Sequence, residues 1–371
     1  MDFIDLKAQQ SIIKEKIDKR IKSVLSHGKY IMGPEVLELE EKLANYVGVK
    51  HCISCSSGTD ALLIPLMAKN IGPGDAVITT PFTYIATAEV IALLGADTIF
   101  ADIYSSTYNI NPSAINGAIE LAKERGLKPK AIIPVDLFGL PARYRLIKEI
   151  ADKNNLFILE DAAQGFGGEI RGIKAGAFGD VAATSFFPAK PLGCYGDGGA
   201  IFTNDGKLAN IMKSIRVHGS SSDKYENIRI GINGRLDTFQ AAILLEKLEI
   251  FDNEIMLRKK IADYYTLNIR SKLKKPLIPN EYVSSYAQYS LLANSNEERN
   301  KKMVYLKSKD IPTMIYYKKP LHLQKAFNSL NYSVNDFPIA ESISNSIFSI
   351  PMHPYLTRNQ QDRIIGAIND E

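Results

Sequence analysis

The sequence predicts an α/β protein with a large domain built on a mostly parallel sheet and a smaller α+β domain after it. Three observations indicate this fold. Short apolar runs rich in β-branched residues recur between residues 51 and 204, helical patterns separate the earlier runs, and long helical segments take over after residue 233. Buried parallel strands give such runs, and their alternation with helices is typical of a sheet covered on both faces.

Seven apolar segments predict the buried strands of this sheet, namely 51–56, 76–82, 97–103, 131–138, 157–163, 181–187 and 200–204. Helical patterns lie between the earlier strands at 61–70, 86–94, 112–125 and 142–154, and many of them close with a glycine at or just past the end. Parallel sheets bind ligands beyond the carboxyl ends of their strands, so we expect chemistry in the loops that leave them.

The later part of the chain has a different texture. Residues 236–269 form long helical patterns, and a Pro- and Lys-rich turn, KLKKPLIP, follows them. We therefore predict a large domain over residues 1–245 and a small C-terminal domain over residues 246–371.

Composition narrows the functional class. The chain has 371 residues, and 45 Lys and Arg against 41 Asp and Glu leave a net charge of only +4, which does not favour binding to nucleic acid. No apolar stretch approaches the roughly 20 residues that span a bilayer, and the N-terminus is charged from its second residue, so we expect a cytoplasmic protein without a membrane segment. Cys52 and Cys55 form a C-x-x-C motif that we interpret as buried strand thiols, and no metal site is predicted.

The first candidate site follows the first predicted strand. In SSGTDALL, Ser57, Gly58 and Thr59 precede a helical pattern. Their backbone N–H groups and hydroxyls, together with the helix dipole, could hold a phosphate. An ordinary helix N-cap explains the same residues equally well.

Two further strand ends carry unusual side chains. Glu160 and Asp161 end a strongly apolar strand in ILEDAAQ, where a carboxylate needs a cationic or proton-bearing partner or serves as an N-cap. Phe82 and Tyr84 end another strand in PFTYIAT. They could be core residues or a stacking surface for a planar ligand.

Lys190 occupies the most unusual segment, SFFPAKPLGCYGDGG. It stands between Pro188 and Pro191 and before four glycines, so it belongs to neither a helix interior nor a regular strand. Such a lysine could bind phosphate, form a salt bridge or act as an amine nucleophile that forms a Schiff base. The phosphate role is weaker, because the residues around Lys190 do not match a P-loop.

Pyridoxal phosphate is the one ligand that fits all four sites. It needs a phosphate cradle, an aromatic face, a carboxylate at its ring nitrogen and a lysine. Gly58 with Thr59, Tyr84, Asp161 and Lys190 are the candidates for these needs, in that order.

The motifs SGTDAL, PFTYIATAE, EDAAQ, SFFPAKPLGCYGDGG and NGRLDTFQAA occur here in an order that resembles the DegT/DnrJ/EryC1/StrS family of pyridoxal-phosphate-dependent sugar aminotransferases. The resemblance covers essentially the whole chain. It implies the aspartate aminotransferase fold, fold type I of the transferases that use this cofactor.

The resemblance also implies a role for each candidate residue. Lys190 would be bonded to the cofactor and would then shuttle the proton between substrate and cofactor. Asp161 would pair with the ring nitrogen, Gln164 would lie near the phenolic oxygen, and Tyr84 would stack on the ring. The residues that would hold the phosphate are Gly58, Thr59, Ser185 and, from a second subunit, Asn233. A homodimer with shared active sites is therefore implied.

Within the family, the chain most resembles aminotransferases that act on UDP-linked 3-keto sugars, in particular UDP-2-acetamido-2-deoxy-3-oxo-glucuronate. The resemblance implies glutamate as amino donor and a role in surface glycan precursors such as O-antigen. Arg235 is the candidate partner of a sugar carboxylate, and Tyr316 and Tyr317 are candidate substrate contacts. The chain departs from the family where Lys318 replaces a proline.

Catalytic and non-catalytic alternatives remain within this fold. A 4-keto-6-deoxy sugar linked to UDP or dTDP, or a cyclitol, could be the acceptor instead. Sugar dehydration is disfavoured, because relatives with that activity have a histidine where Lys190 stands. A non-catalytic protein of this fold would be expected to lack Lys190, Asp161 or the phosphate cradle, and the sequence retains all three.

Overall fold

The computed structural model of the chain describes residues 1–221, 223 and 225–370. Its helices are α1 (Leu6–His27), α2 (Pro34–Val47), α3 (Gly58–Ala68), α4 (Ala86–Leu93), α5 (Pro112–Glu124), α6 (Tyr144–Asn154), α7 (Gly206–Ile215), α8 (Thr238–Asn268), α9 (Asn296–Ser308), α10 (Pro338–Ser346) and α11 (Arg358–Asn369). Its strands are β1 (His51–Cys55), β2 (Asp75–Thr79), β3 (Asp97–Phe100), β4 (Lys128–Ile133), β5 (Phe157–Asp161), β6 (Glu169–Ile170), β7 (Ile173–Lys174), β8 (Val181–Ser185), β9 (Gly199–Thr203), β10 (Tyr282–Val283), β11 (Tyr289–Leu292) and β12 (Ile347–Ile350).

The central sheet has seven strands in the order β1-β9-β8-β5-β4-β2-β3. The pairs β8–β5, β5–β4, β4–β2 and β2–β3 are parallel, whereas β9 runs antiparallel to both of its neighbours. This arrangement confirms the predicted α/β class and each of the predicted strands. The carboxyl ends of β5 and β8, neighbours near the middle of the sheet, therefore lie side by side.

Helices cover both faces of this sheet. Successive side chains of a strand point to opposite faces, so each strand contributes to two cores. In β2, Val77 packs with α3 and α4 on one face, and Ile78 packs with α5 and α6 on the other. The helices α2 and α8 cover the second face near β8 and β9. These buried strands explain why the sequence shows continuous apolar runs rather than alternation.

Cys52 and Cys55 are both buried in β1, but they join different cores on opposite faces of the sheet. Burial raises the pKa of both thiols above the ordinary value. This confirms that the C-x-x-C motif consists of buried strand thiols.

A separate core joins the end of α8 to α9, α11 and the two-stranded sheet of β11 and β12. Helix α8 continues without a break through residue 245. The domain division at that residue stays a prediction, and it falls inside one helix. Over the described ranges, no helix is both long and apolar enough to cross a membrane.

Candidate active site

A cavity of about 530 Å³ opens at the carboxyl ends of the central strands. The predicted residues that line it are Gly58, Thr59, Tyr84, Asp161, Gln164, Ser185, Lys190, Tyr316 and Tyr317. They come from the loops after β1, β2, β5 and β8 and from the segment before α10. The sheet topology thus brings together residues that are far apart in the sequence, as expected for parallel strands.

The N-terminus of α3 forms one wall of the cavity. Ser57 caps this helix by accepting a hydrogen bond from the backbone N–H of Asp60 at 3.0 Å. The N–H groups of Gly58 and Thr59 have no acceptor within the described part of the chain. A Cβ at position 58 would lie 2.6 Å from Cβ of Ser185, so only glycine allows α3 to begin so close to the end of β8.

Asp161 stands at the end of β5 with its carboxylate in the cavity. Its Oδ2 accepts a hydrogen bond from Oγ1 of Thr87 at 2.8 Å, and its Oδ1 accepts one from the N–H of Ala163 at 3.2 Å. Burial raises the pKa of this carboxyl above its ordinary value, while these two donors and the charge of Lys190 oppose the rise.

Lys190 enters the cavity from the loop after β8. Burial lowers the pKa of its amino group, and the nearby Asp161 carboxylate partly opposes this shift. Within the described ranges, no side chain lies at hydrogen-bond or salt-bridge distance from Nζ of Lys190. A lysine with a lowered pKa and a free amine in a concave site can act as a nucleophile or a base.

Gln164 joins the two sides of the cavity. Its Nε2 donates a hydrogen bond of 3.1 Å to the hydroxyl of Tyr317, and its Oε1 accepts one of 2.8 Å from the N–H of Phe138. Tyr84 is 57% exposed, so it lies at the mouth rather than in the core. Its side chain is therefore available to a ligand.

Asn233 and Arg235 do not line this cavity in their own chain. They lie in the segment before α8, where the carbonyl of Gly234 accepts a hydrogen bond from the N–H of Ser56. Asn233 is exposed, and Arg235 is half-buried with a buried Nε for which the described part of the chain offers no hydrogen-bond partner. Asn233 was predicted to act from a second subunit and Arg235 to contact the substrate, and the single chain brings neither residue into its own cavity.

Several residues of the cavity were not identified from the sequence, among them Ile4, Thr83, Thr87, Asp197 and Gln288. Thr87 follows Tyr84 by three residues at the start of α4, but a threonine in a first helical turn gives no distinctive signal in the sequence. Ile4 and Gln288 lie far away in the chain, and no local pattern connects them to the site.

The residues of the cavity fit pyridoxal phosphate. The free N–H groups of Gly58 and Thr59 at a helix N-terminus suit its phosphate, and Lys190 offers a free amine to its aldehyde. Asp161 offers a carboxylate at the end of β5, beside β8. The buried Oε1 of Gln288, which also lines the cavity, has no hydrogen-bond partner among the described residues. In contrast, the described residues contain no group of three or more His, Cys, Asp or Glu that could hold a metal ion.

Comparison with known proteins agrees with this geometry. The model of the DegT/DnrJ/EryC1/StrS aminotransferase family matches residues 11–369. The chain is 48% identical to UDP-2-acetamido-2-deoxy-3-oxo-D-glucuronate aminotransferase of Pseudomonas aeruginosa over 371 residues, which cover all of both chains.

Solved structures share the fold. A DegT DnrJ EryC1 StrS aminotransferase from Brucella abortus superposes with a TM-score of 0.96 at 50% identity, over 100% of this chain and 99% of that one. NtdA from Bacillus subtilis, solved with its cofactor PMP bound, has a TM-score of 0.90 at 27% identity, over 99% and 84% of the two chains. The fold is thus the predicted fold type I, and the chain belongs to the DegT/DnrJ/EryC1/StrS aminotransferase family.

Proposed function

We propose that this protein is a transaminase that uses pyridoxal phosphate to move an amino group from glutamate to a nucleotide-linked keto sugar. The acceptor is a UDP-linked 3-keto N-acetylhexosamine or its uronate, a proposal that the name of the Pseudomonas relative supports. One observation carries the proposal, namely that the carboxylate of Asp161 at the end of β5 and the free amine of Lys190 in the loop after β8, the parallel neighbour of β5, face one cavity.

When bound, pyridoxal phosphate supplies an aldehyde carbon that captures amines and a ring that withdraws electrons from the donor's α-carbon. Asp161 would keep a proton on the ring nitrogen, because a carboxylate beside that nitrogen favours its charged form. Thr87 and the N–H of Ala163 help Asp161 to stay ionised and fix its orientation.

Lys190 would be the attachment point of the cofactor and, as a free amine, the general base. Its lowered pKa increases the fraction of neutral amine at neutral pH. A neutral Nζ can take a proton from the donor's α-carbon, whereas an ammonium cannot.

The N–H groups of Gly58 and Thr59 and the hydroxyl of Ser185 would hold the phosphate. Asn233 of a second copy would complete this site, since it is exposed and lies outside the cavity of its own chain. We therefore infer a homodimer with shared active sites. Tyr84 at the mouth would stack on the ring, and Gln164 would lie near its phenolic oxygen.

Tyr316 and Tyr317, which line the same cavity as Lys190, would contact the sugar. Arg235 would meet a sugar carboxylate by a bidentate pair in the neighbouring subunit, because its own cavity is out of its reach. The unpartnered buried Nε of Arg235 agrees with a missing ligand or partner group.

The diphosphate of the substrate needs cations that the first cavity does not provide. Among the described residues that line that cavity, Lys190 is the only basic one. A second cavity of about 620 Å³ shares Thr83, Tyr84 and Tyr317 with it and is lined by Lys318 and Lys319. These two lysines would contact the diphosphate, and the replacement of the family's proline by Lys318 would strengthen that contact.

Single-turnover spectroscopy tests the function. Addition of glutamate should remove the absorption of the lysine-bound cofactor and yield 2-oxoglutarate. The Lys190→Ala variant should show neither effect. Mixing the resulting amino form with a UDP-3-keto-glucuronate derivative should restore the absorption, whereas UDP-4-keto-6-deoxy and dTDP-keto sugars should act much more slowly. Restoration by a 4-keto sugar alone would leave the transaminase standing and refute the proposed acceptor.

The cytoplasmic location and the role in surface glycan synthesis stay predictions from the sequence. Fractionation of cells that express the chain, and analysis of their surface polysaccharide after deletion of its gene, would test them.

A further inference from the structure

Lys247 is a lysine enclosed in the first half of α8. Its side chain is 0% exposed. Its Nζ donates a hydrogen bond of 2.6 Å to the carbonyl oxygen of Gly193 and lies 4.3 Å from the centre of the Tyr195 ring. A buried ammonium usually pairs with a carboxylate, yet none of the described carboxylates lies within salt-bridge distance of this one. The burial of Lys247 therefore needs another explanation.

Gln240 lies on the same face of α8, two turns before Lys247. Its Oε1 accepts a hydrogen bond of 2.9 Å from the backbone N–H of Tyr195. The two side chains thus form hydrogen bonds with one short segment, Gly193–Tyr195, Lys247 with a backbone carbonyl and Gln240 with a backbone N–H. This segment begins three residues after Lys190.

Residues 186–198, here called the lysine loop, are closed on themselves. Phe186 donates a backbone hydrogen bond of 2.7 Å to the carbonyl of Gly198 and accepts one of 2.8 Å from the N–H of Cys194. A Cβ at Gly193 would lie 2.5 Å from the carbonyl oxygen of Pro188, so the second half of the loop packs directly against the half that carries Lys190. Gly193 therefore lies against the backbone only two residues before Lys190.

We propose that Lys247 and Gln240 are positioning residues, which hold the lysine loop from α8 and so keep the amine of Lys190 directed towards Asp161. The importance of Lys190 rests on the proposed function, but the anchoring of the loop does not. Burial lowers the pKa of Lys247 to about 8, and a neutral amine still donates a hydrogen bond, so the anchor persists in both protonation states.

Hydrogen–deuterium exchange on the full-length protein tests the anchoring directly. Lys247→Met retains most of the side-chain volume and removes the donor. We expect peptides that cover the lysine loop to exchange about 10-fold faster, as for a lost hydrogen bond, while peptides of β4 are unchanged. Lys260→Met, on the exposed face of the same helix, should leave both regions as in the unmodified protein.

Kinetics and spectroscopy on the cofactor-loaded enzyme test the effect on Lys190. For Lys247→Met we expect kcat with glutamate to fall roughly 10- to 100-fold with a nearly unchanged KM, since a misplacement of about 1 Å can cost about 10²-fold. The pH titration of the lysine-bound cofactor's absorption should shift as well. A purely structural role would lower the amount of active enzyme without moving this titration.

Gln240→Met provides a second variant if Lys247→Met does not fold, and it should change loop exchange and kcat in the same direction by a smaller factor. Loop exchange equal to that of the Lys260→Met control in the folded variants would overturn the proposal. If the unmodified protein did not respond to glutamate, the proposed function would fail, whereas the exchange result would still decide the anchoring.

Discussion

Thr87 donates a hydrogen bond of 2.8 Å from Oγ1 to Oδ2 of Asp161, and this bond ties the first turn of α4 to the end of β5. Thr87→Val keeps the shape of the side chain and leaves Oδ2 without its donor. We expect pyridoxal phosphate to bind about 10-fold more weakly, because a hydrogen bond to a charged group contributes about 1.5–3 kcal/mol and part of it is recovered by relaxation. Absorbance titration of the cofactor-free protein measures this affinity.

Thr87→Ser is the matched control, since it retains a hydroxyl at the same position. Its affinity for the cofactor should stay close to that of the unmodified protein. A serine variant as weak as the valine variant would show that packing of the methyl group, rather than the hydrogen bond to Asp161, matters at this position.

The carboxyl of Asp161 should lower the free energy of unfolding of the cofactor-free chain, although activity requires it. Burial raises the pKa of its carboxyl, so the folded state binds this proton more tightly than the unfolded state, and the ionised form costs folding free energy as pH rises. Asp161→Asn should therefore raise the free energy of unfolding at neutral pH while it lowers kcat with glutamate by about 100-fold or more. Urea denaturation without cofactor measures the first effect.

The stability gain in Asp161→Asn should shrink as pH falls below the raised pKa of Asp161 and should vanish below the ordinary pKa of aspartate, where the carboxyl is protonated in both states. A gain that is the same at acid and neutral pH would contradict an electrostatic origin.

At Gly58, the start of α3 lies so close to the end of β8 that no side chain fits between them. In Gly58→Ala the new Cβ would lie 2.6 Å from Cβ of Ser185, so the helix N-terminus must move. We expect a loss of about 1–3 kcal/mol of unfolding free energy and weaker binding of the cofactor phosphate. Gly117→Ala in α5 is the control, since its Cβ meets nothing within 4 Å, and it should stabilise by about 0.5–1 kcal/mol. Equal stability of the two variants would contradict the close approach.

Much of this site could be predicted because strand ends converge. Gly58, Asp161 and Lys190 each follow an apolar strand, and the parallel sheet then brings them to one edge. Thr87 was missed because a threonine in a first helical turn has no distinctive local signal. Lys247 was missed for a similar reason, since a lysine within a helical pattern normally lies on the solvated face, and only tertiary packing encloses it.

Lys318 and Lys319 should affect the sugar substrate but not glutamate. With both replaced by alanine, we expect KM for the nucleotide sugar to rise about 10-fold or more, because each lost contact between an ammonium and a phosphate costs on the order of 1 kcal/mol. The response to glutamate should be unchanged, and the KM difference should diminish at high salt. A variant with both Lys259 and Lys260 replaced by alanine controls for the loss of two charges. An equal rise of KM in this variant would refute a specific contact of Lys318 and Lys319 with the diphosphate.

Asn233 offers a test of shared active sites. If each site combines Lys190 of one chain with Asn233 of the other, a dimer of one Lys190→Ala chain and one Asn233→Ala chain has two unequal sites. One site carries both substitutions, and the other has Lys190 and Asn233 intact. Random mixing should then restore about a quarter of the full activity, since half of the dimers are hybrids with one of two sites intact. Co-expression of differently tagged chains and a glutamate assay measure this. Co-expression of a Lys190→Ala chain with an Asp161→Asn chain should restore no activity, because Lys190 and Asp161 line the cavity of the same chain. Absence of recovery in the first pair would assign Asn233 to the site of its own subunit, whereas an Asn233→Ala variant that is fully active by itself would show that Asn233 belongs to no site.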